Sequence, residues 1–126
     1  MTERGGATIV AAAVVSFLVL VAAGLAAVGR VGAARVQATS AADAAALAAA
    51  PLTFLPGDPA AEAATYARVN GADLVRCGCR KDLGLGDRVV TVQVEKPVEL
   101  PIFGEVTVRA RAAAEFSPRR LLGGEG

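Results

Sequence analysis

The chain has 126 residues and a formal net charge of +1 at pH 7, with no histidine, no tryptophan and four phenylalanines. That length suits one small domain, and a charge this close to neutral gives no reason to expect nucleic acid, whose phosphates need a concentrated basic patch. Without histidine the chain lacks both the usual general base near neutral pH and the commonest metal ligand. The apolar excess is alanine, valine and leucine, so a soluble core made from it buries little area per residue.

No charged residue occurs from Gly5 to Gly29, a run of 25 residues, "GGATIVAAAVVSFLVLVAAGLAAVG". As a helix it reaches about 37 Å, against a hydrocarbon layer of about 30 Å. Too little protein remains to surround such a helix, so the run reads as a single membrane-inserted segment in which Ser16 and Gly24 are tolerated. The rival reading is a cleavable secretory signal, with "GAA" at 32–34 imitating a cleavage site. Against it, the run exceeds the usual apolar core of about 7–15 residues, and "MTER" carries one acid and one base. Charge fixes orientation poorly: Arg4 lies before the run, and Arg30 and Arg35 after it.

Residues 30–50 contain no proline and are rich in alanine, the best helix former, with Gly29 and Gly32 the only weak points. One continuous helix over residues 7–50, about 65 Å long, is therefore expected, its first half in lipid and its second in water. Arg35, Thr39 and Asp43, spaced by four, share a face. Pro51 is expected to end the helix. After the turn-rich "PLTFLPGD", a short helix over 58–70 is marked by Asp58 as N-cap, Pro59 at the first position, Glu62 in the first turns and Asn70-Gly71 as the stop. Ala60, Ala64 and Ala67, with Tyr66 nearby, give it a weakly apolar side.

Beyond Gly71 the period changes to two. "DLVRCGCRK" reads as a strand over about 73–80 and "RVVTVQVE" as a second over 88–95. The two prolines of "KPVELPIFG" are expected to keep that connection out of the sheet. The third strand, about 105–116, alternates clearly: Val106, Val108, Ala110, Ala112, Ala114 and Phe116 point one way, and Thr107, Arg109, Arg111 and Glu115 the other. Three strands need a cover, which only the alanine-rich helix is long enough to supply. The expected fold is α+β: a long N-terminal helix, a short helix and a three-stranded antiparallel sheet packed on the long helix's C-terminal half. The domain division is 1–30 for tail and membrane helix, 31–116 for an extracytoplasmic domain, and 117–126 for a frayed tail.

Little chemistry is on offer. Ser16, Ser40 and Ser117 have no activating base, and Lys81 and Lys96 read as solvated side chains at strand ends. Asp58, Glu62, Asp73, Asp82 and Asp87 read as caps and surface groups. The "GLG" of the first hairpin lacks the strand-turn-helix setting of a phosphate loop. No catalytic, cofactor-binding or metal-binding residue is assigned, no cofactor is expected, and a small-molecule substrate is not forecast. Cys77 and Cys79 are the sharpest feature. In an extended strand their Cα atoms stand about 6.5–7 Å apart, at the edge of disulfide geometry unless Gly78 permits a bulge. Buried free thiols, a local bond and a bond to another chain all stay open.

The segments "RGGATIV", "RVQATSAADAAALAAA", "GDPAAEAATYARVNGADLVRC" and "EVTVRARAAAEF", in this order over residues 4–116, resemble the TadE-like proteins of actinobacteria, especially the short group encoded near helicase and secretion genes. The resemblance implies a pseudopilin-like minor component of the tight-adherence (Flp) pilus or a related secretion apparatus. Its N-terminus is cytoplasmic and its sheet-bearing domain outside a membrane crossed once. Expected partners are other subunits of that apparatus through the N-terminal helix, membrane lipid, and further copies of the chain. Prepilins of this type imply a glycine at the cleavage point and a glutamate five residues on. Five after Gly5 and Gly6 stand Val10 and Ala11, so inefficient cleavage or none is expected. Relatives place a cysteine after the "DP", paired with one after "NGA". Here the first position is Ala60, Cys77 matches the second and Cys79 is extra. The competing function is a membrane-anchored extracytoplasmic binding module; an export-linked enzyme comes third.

Overall fold

The structure, a computed structural model, describes residues 2–123, with side-chain surroundings from Gly5 to Gly123; Met1 and the end of the expected tail, residues 124–126, lie outside the described residues. Helix α1 runs unbroken from Thr2 to Leu52, about 76 Å, passing through Gly24, Gly29 and Gly32 without interruption. Helix α2 spans Pro59–Val69, and three strands follow: β1 Asp73–Gly78, β2 Arg88–Leu100 and β3 Gly104–Phe116, with a short helix α3 at Pro118–Leu121. The strands form one antiparallel sheet in the order β1-β2-β3. This is the expected α+β architecture.

The core sits where the second half of α1 meets the sheet and α2. Ala34, Ala38, Ala41, Ala42, Ala45, Ala46, Ala49 and Ala50 form a buried stripe at steps of three and four. Against it lie Val90, Val92 and Val94 of β2, paired with Ala114, Ala112 and Ala110 of β3. Alanine on one side and valine on the other bring backbone close to backbone, which compensates in packing for what the small side chains lack in area. The alternation read for β3 is correct. Val108 and Ala114 are buried, Ala110, Ala112 and Phe116 half-buried, and Thr107, Arg109, Arg111 and Glu115 exposed; of the inward set only Val106, towards the start of the strand, is as much as 39% exposed.

Five boundaries or faces differ from the sequence reading. Pro51 lies in the last turn of α1 and does not terminate it; Leu52 is still helical. The turn then tightens, with Thr53 N and Thr53 Oγ1 both donating to Ala50 O, at 3.3 and 2.7 Å. In α2 the buried residues are Pro59, Ala63 and Ala67, whereas Ala60 and Tyr66 are exposed. Strand β1 ends at Gly78, two residues early, after an irregularity between Leu74 and Arg76. Strand β2 runs five residues past Glu95, and Pro97 pairs with Thr107 inside the ladder. The reason is positional: β1 begins at Asp73, opposite Glu95, so beyond it that side of β2 is a free edge where a residue without an N–H is tolerated. Finally, the tail is not frayed at its start, since Pro118 is fully buried and opens α3.

Connections are held by named contacts. Asp58 Oδ1 accepts from Ala60 N and Ala61 N at 3.0 and 3.2 Å, the N-cap read from the sequence. Gly71 has φ +85°, and a Cβ built there would stand 2.3 Å from Gln37 Nε2 on α1. Its carbonyl accepts from Lys96 Nζ at 3.0 Å. The loop between β1 and β2 is gathered by Arg88, whose guanidinium donates to the carbonyls of Asp82, Gly84 and Gly86.

Candidate functional site

Residues with possible chemistry are spread apart and occupied structurally. Asp58 caps α2, Lys81 Nζ donates to Leu55 O at 3.0 Å, Lys96 holds Gly71, and Asp82 Oδ1 accepts from Gly84 N at 2.8 Å. Among the described residues no group of three or more His, Cys, Asp or Glu could hold a metal ion. Cys77 and Cys79 are joined to each other, with Cα atoms 5.3 Å apart. Of the three states left open by the sequence, the structure selects the local bond. It can do so because the strand stops at Gly78, so the pair is not held at extended spacing.

What the molecule offers instead is surface, and most of it belongs to α1. From Gly5 to Ala22 every residue is exposed. Ile9 is 71% exposed, Phe17 65% and Leu20 67%. A protein in water does not leave so continuous an apolar cylinder bare, because burial of that area is favourable by about 25 cal/mol per Å². Over Gly5–Leu52 this helix is long and apolar enough to cross a membrane.

The second half of α1 has two sides. The alanine stripe is filled by the chain's own sheet and α2. The other side is open and carries Val36, Ser40, Asp43 and Leu47, with Val36 69% and Leu47 66% exposed. Arg35, Thr39 and Asp43, read from their spacing as sharing a face, are all exposed. Arg35 and Thr39 line a trough against the edge strand β3, at Val106 to Arg111. Across the sheet's outer face Arg109 Nε lies 3.6 Å from Glu95 Oε2, a solvent-exposed pair that contributes little to stability.

One contact was not read from the sequence. The β2–β3 ribbon reaches back past the sheet so that its tip lies beside Gly24, Ala27 and Val28, within the charge-free run. Arg30 Nη1 donates to Glu99 O at 3.3 Å near the same level. The signal for it was the apolar connection "LPIFG" between two strands, which its prolines disguised as an ordinary loop.

No curated protein and no solved structure matches the chain. Residues 5–51, which take in the bare apolar half of α1 and its alanine-rich continuation, are similar to the family described as putative Flp pilus-assembly TadE/G-like.

Proposed function

We propose that this chain is a TadE-like, non-enzymatic component in the assembly of a tight-adherence pilus or a related secretion apparatus. It crosses the cytoplasmic membrane once, through about residues 5–30, with its N-terminus cytoplasmic and residues 31–116 outside. The observation that carries this reading is that the match to the pilus-assembly family, over residues 5–51, takes in the apolar half of α1 that the chain itself leaves exposed. A helix apolar all round holds the subunit in lipid. The open side of the water-exposed half is left for other subunits of the apparatus or a second copy. Placement in the short actinobacterial group rests on the resemblance of the segments quoted above.

In cells that build the apparatus, a photo-crosslinking residue at Val36 or Leu47 is expected to capture other pilus or secretion subunits, or a second copy. The same residue at Leu83, in the β1–β2 loop, is expected not to. Equal capture from all three positions, or none from Val36 and Leu47, overturns the assembly reading.

A further inference from the structure

The hairpin connecting β2 and β3 is built from Leu100, Pro101, Ile102, Phe103 and Gly104, with Leu100 opposite Gly104. Its tip is unusual for a turn facing water. Ile102 is 82% exposed and Phe103 64%, and no polar side chain stands among the five. Ile102 also has φ 76°, a left-handed conformation that a turn ordinarily assigns to glycine or asparagine and that is unfavourable for a β-branched residue. In water alone, exchanging this isoleucine for glycine would relieve the backbone and remove exposed apolar area together. The residue makes sense where its side chain is not in water.

The position of the tip along α1 supplies the other half of the argument. Phe103, Leu100 and Val106 face Gly24, Ala27 and Val28 across an open groove of about 510 Å³ whose side chains are all apolar. Counted from Gly5 at about 1.5 Å per residue, Gly24 lies about 29 Å along the helix and Val28 about 35 Å. In a hydrocarbon layer about 30 Å thick within a bilayer of about 40–45 Å, Gly24 stands at the outer boundary of the acyl chains and Val28 within the headgroup layer. Arg30 follows at about 38 Å, at the outer edge of the headgroup layer, and there its guanidinium meets the Glu99 carbonyl. Glu99 and Glu105, paired opposite each other one residue back from the ends of the loop, are both exposed and limit how deep the ribbon can go.

We infer that the β2–β3 tip is a second, shallow membrane contact: Ile102 and Phe103 enter the acyl-chain boundary of the outer leaflet, and lipid fills the groove between the tip and residues 24–28 of α1. The inference rests on the reading of α1 as membrane-spanning. It adds that the sheet is held at a fixed height and tilt on the bilayer, with Arg30, Glu99 and Glu105 in the headgroup layer. Interfacial helices bury their Phe- and Leu-bearing faces to this depth, about 5–10 Å into the boundary, and the tip presents side chains of the same kind.

The chain has no tryptophan, so a single one reports its own surroundings. Full-length Phe103→Trp, Leu18→Trp and Leu83→Trp variants are reconstituted at low protein density in phosphatidylcholine vesicles. The lipid carries bromine either near the glycerol end or near the methyl end of its chains. Leu18→Trp is expected to be quenched most by deep bromine. Emission of Phe103→Trp is expected to fall about twofold with shallow bromine and less with deep bromine, as suits insertion at the interface. Leu83→Trp, at the far end of β2, stays unquenched. If Phe103→Trp behaves like Leu83→Trp while Leu18→Trp is quenched, the tip is in water and the inference fails with the spanning helix intact. If Leu18→Trp is not quenched, the spanning reading fails and takes the inference with it. If Phe103→Trp is blue-shifted but unquenched, and reddens as the protein is diluted, a second chain covers the tip and the inference is overturned.

Discussion

Gly71 shows how one residue couples three elements. It ends α2 with positive φ, its carbonyl holds Lys96 of β2, and its missing side chain leaves room for Gln37 of α1. Gly71→Ala is expected to destabilise the detergent-solubilised chain by about 1–2 kcal/mol, from the left-handed backbone conformation. Gln37 is the end of a flexible, exposed side chain and can move, so Gly71→Ala combined with Gln37→Ala should recover little. A thermal melt of the two variants checks this; full recovery in the double variant would make crowding, and not φ, the cause. The stop at Asn70-Gly71 was legible because αL termination has a residue signature. The state of Cys77 and Cys79 was not. It depends on where β1 ends, and that is set by pairing with β2 and not by the cysteines' own neighbours.

Elements were legible in proportion to how unevenly their sequence is written. Strand β3 alternates apolar and charged residues, so its face was readable. Helix α1 declares itself by charge-free length and then by alanine density. Helix α2 has alanine at 60, 61, 63, 64 and 67, on both candidate faces, and nothing in that pattern separates the stripe through Ala63 and Ala67 from its neighbour. The extra length of β2 was hidden by Pro97, a residue disallowed in a central strand yet tolerated where β1 has already ended. The packing of α1 on the sheet makes a sharper forecast. Ala42 is fully buried, two residues from exposed Ser40. Ala42→Leu is expected to cost about 1–3 kcal/mol by overpacking, whereas Ser40→Leu leaves stability within about half a kcal/mol. Protease resistance of the full chain in micelles, followed at the sheet, distinguishes them. Equal resistance would place the sheet on another face of the helix.

For the whole molecule, the proposed anchoring role of α1 is tested near the middle of its charge-free run. Leu18 is 58% exposed. Leu18→Arg is expected to raise the cost of insertion by roughly 3 kcal/mol or more and to shift the protein out of the alkaline-resistant membrane fraction, or to lower its abundance. Unchanged fractionation and abundance would mean that this helix is covered by something other than lipid. The continuity of α1 has a mechanical consequence as well. The exposed apolar half of α1 and the half on which the sheet is packed are one hydrogen-bonded rod, and Gly29 and Gly32 introduce no break between them. Axial load on the sheet is therefore carried along one continuous helix to the apolar end, and a twist imposed at that end is passed toward the sheet by the same backbone.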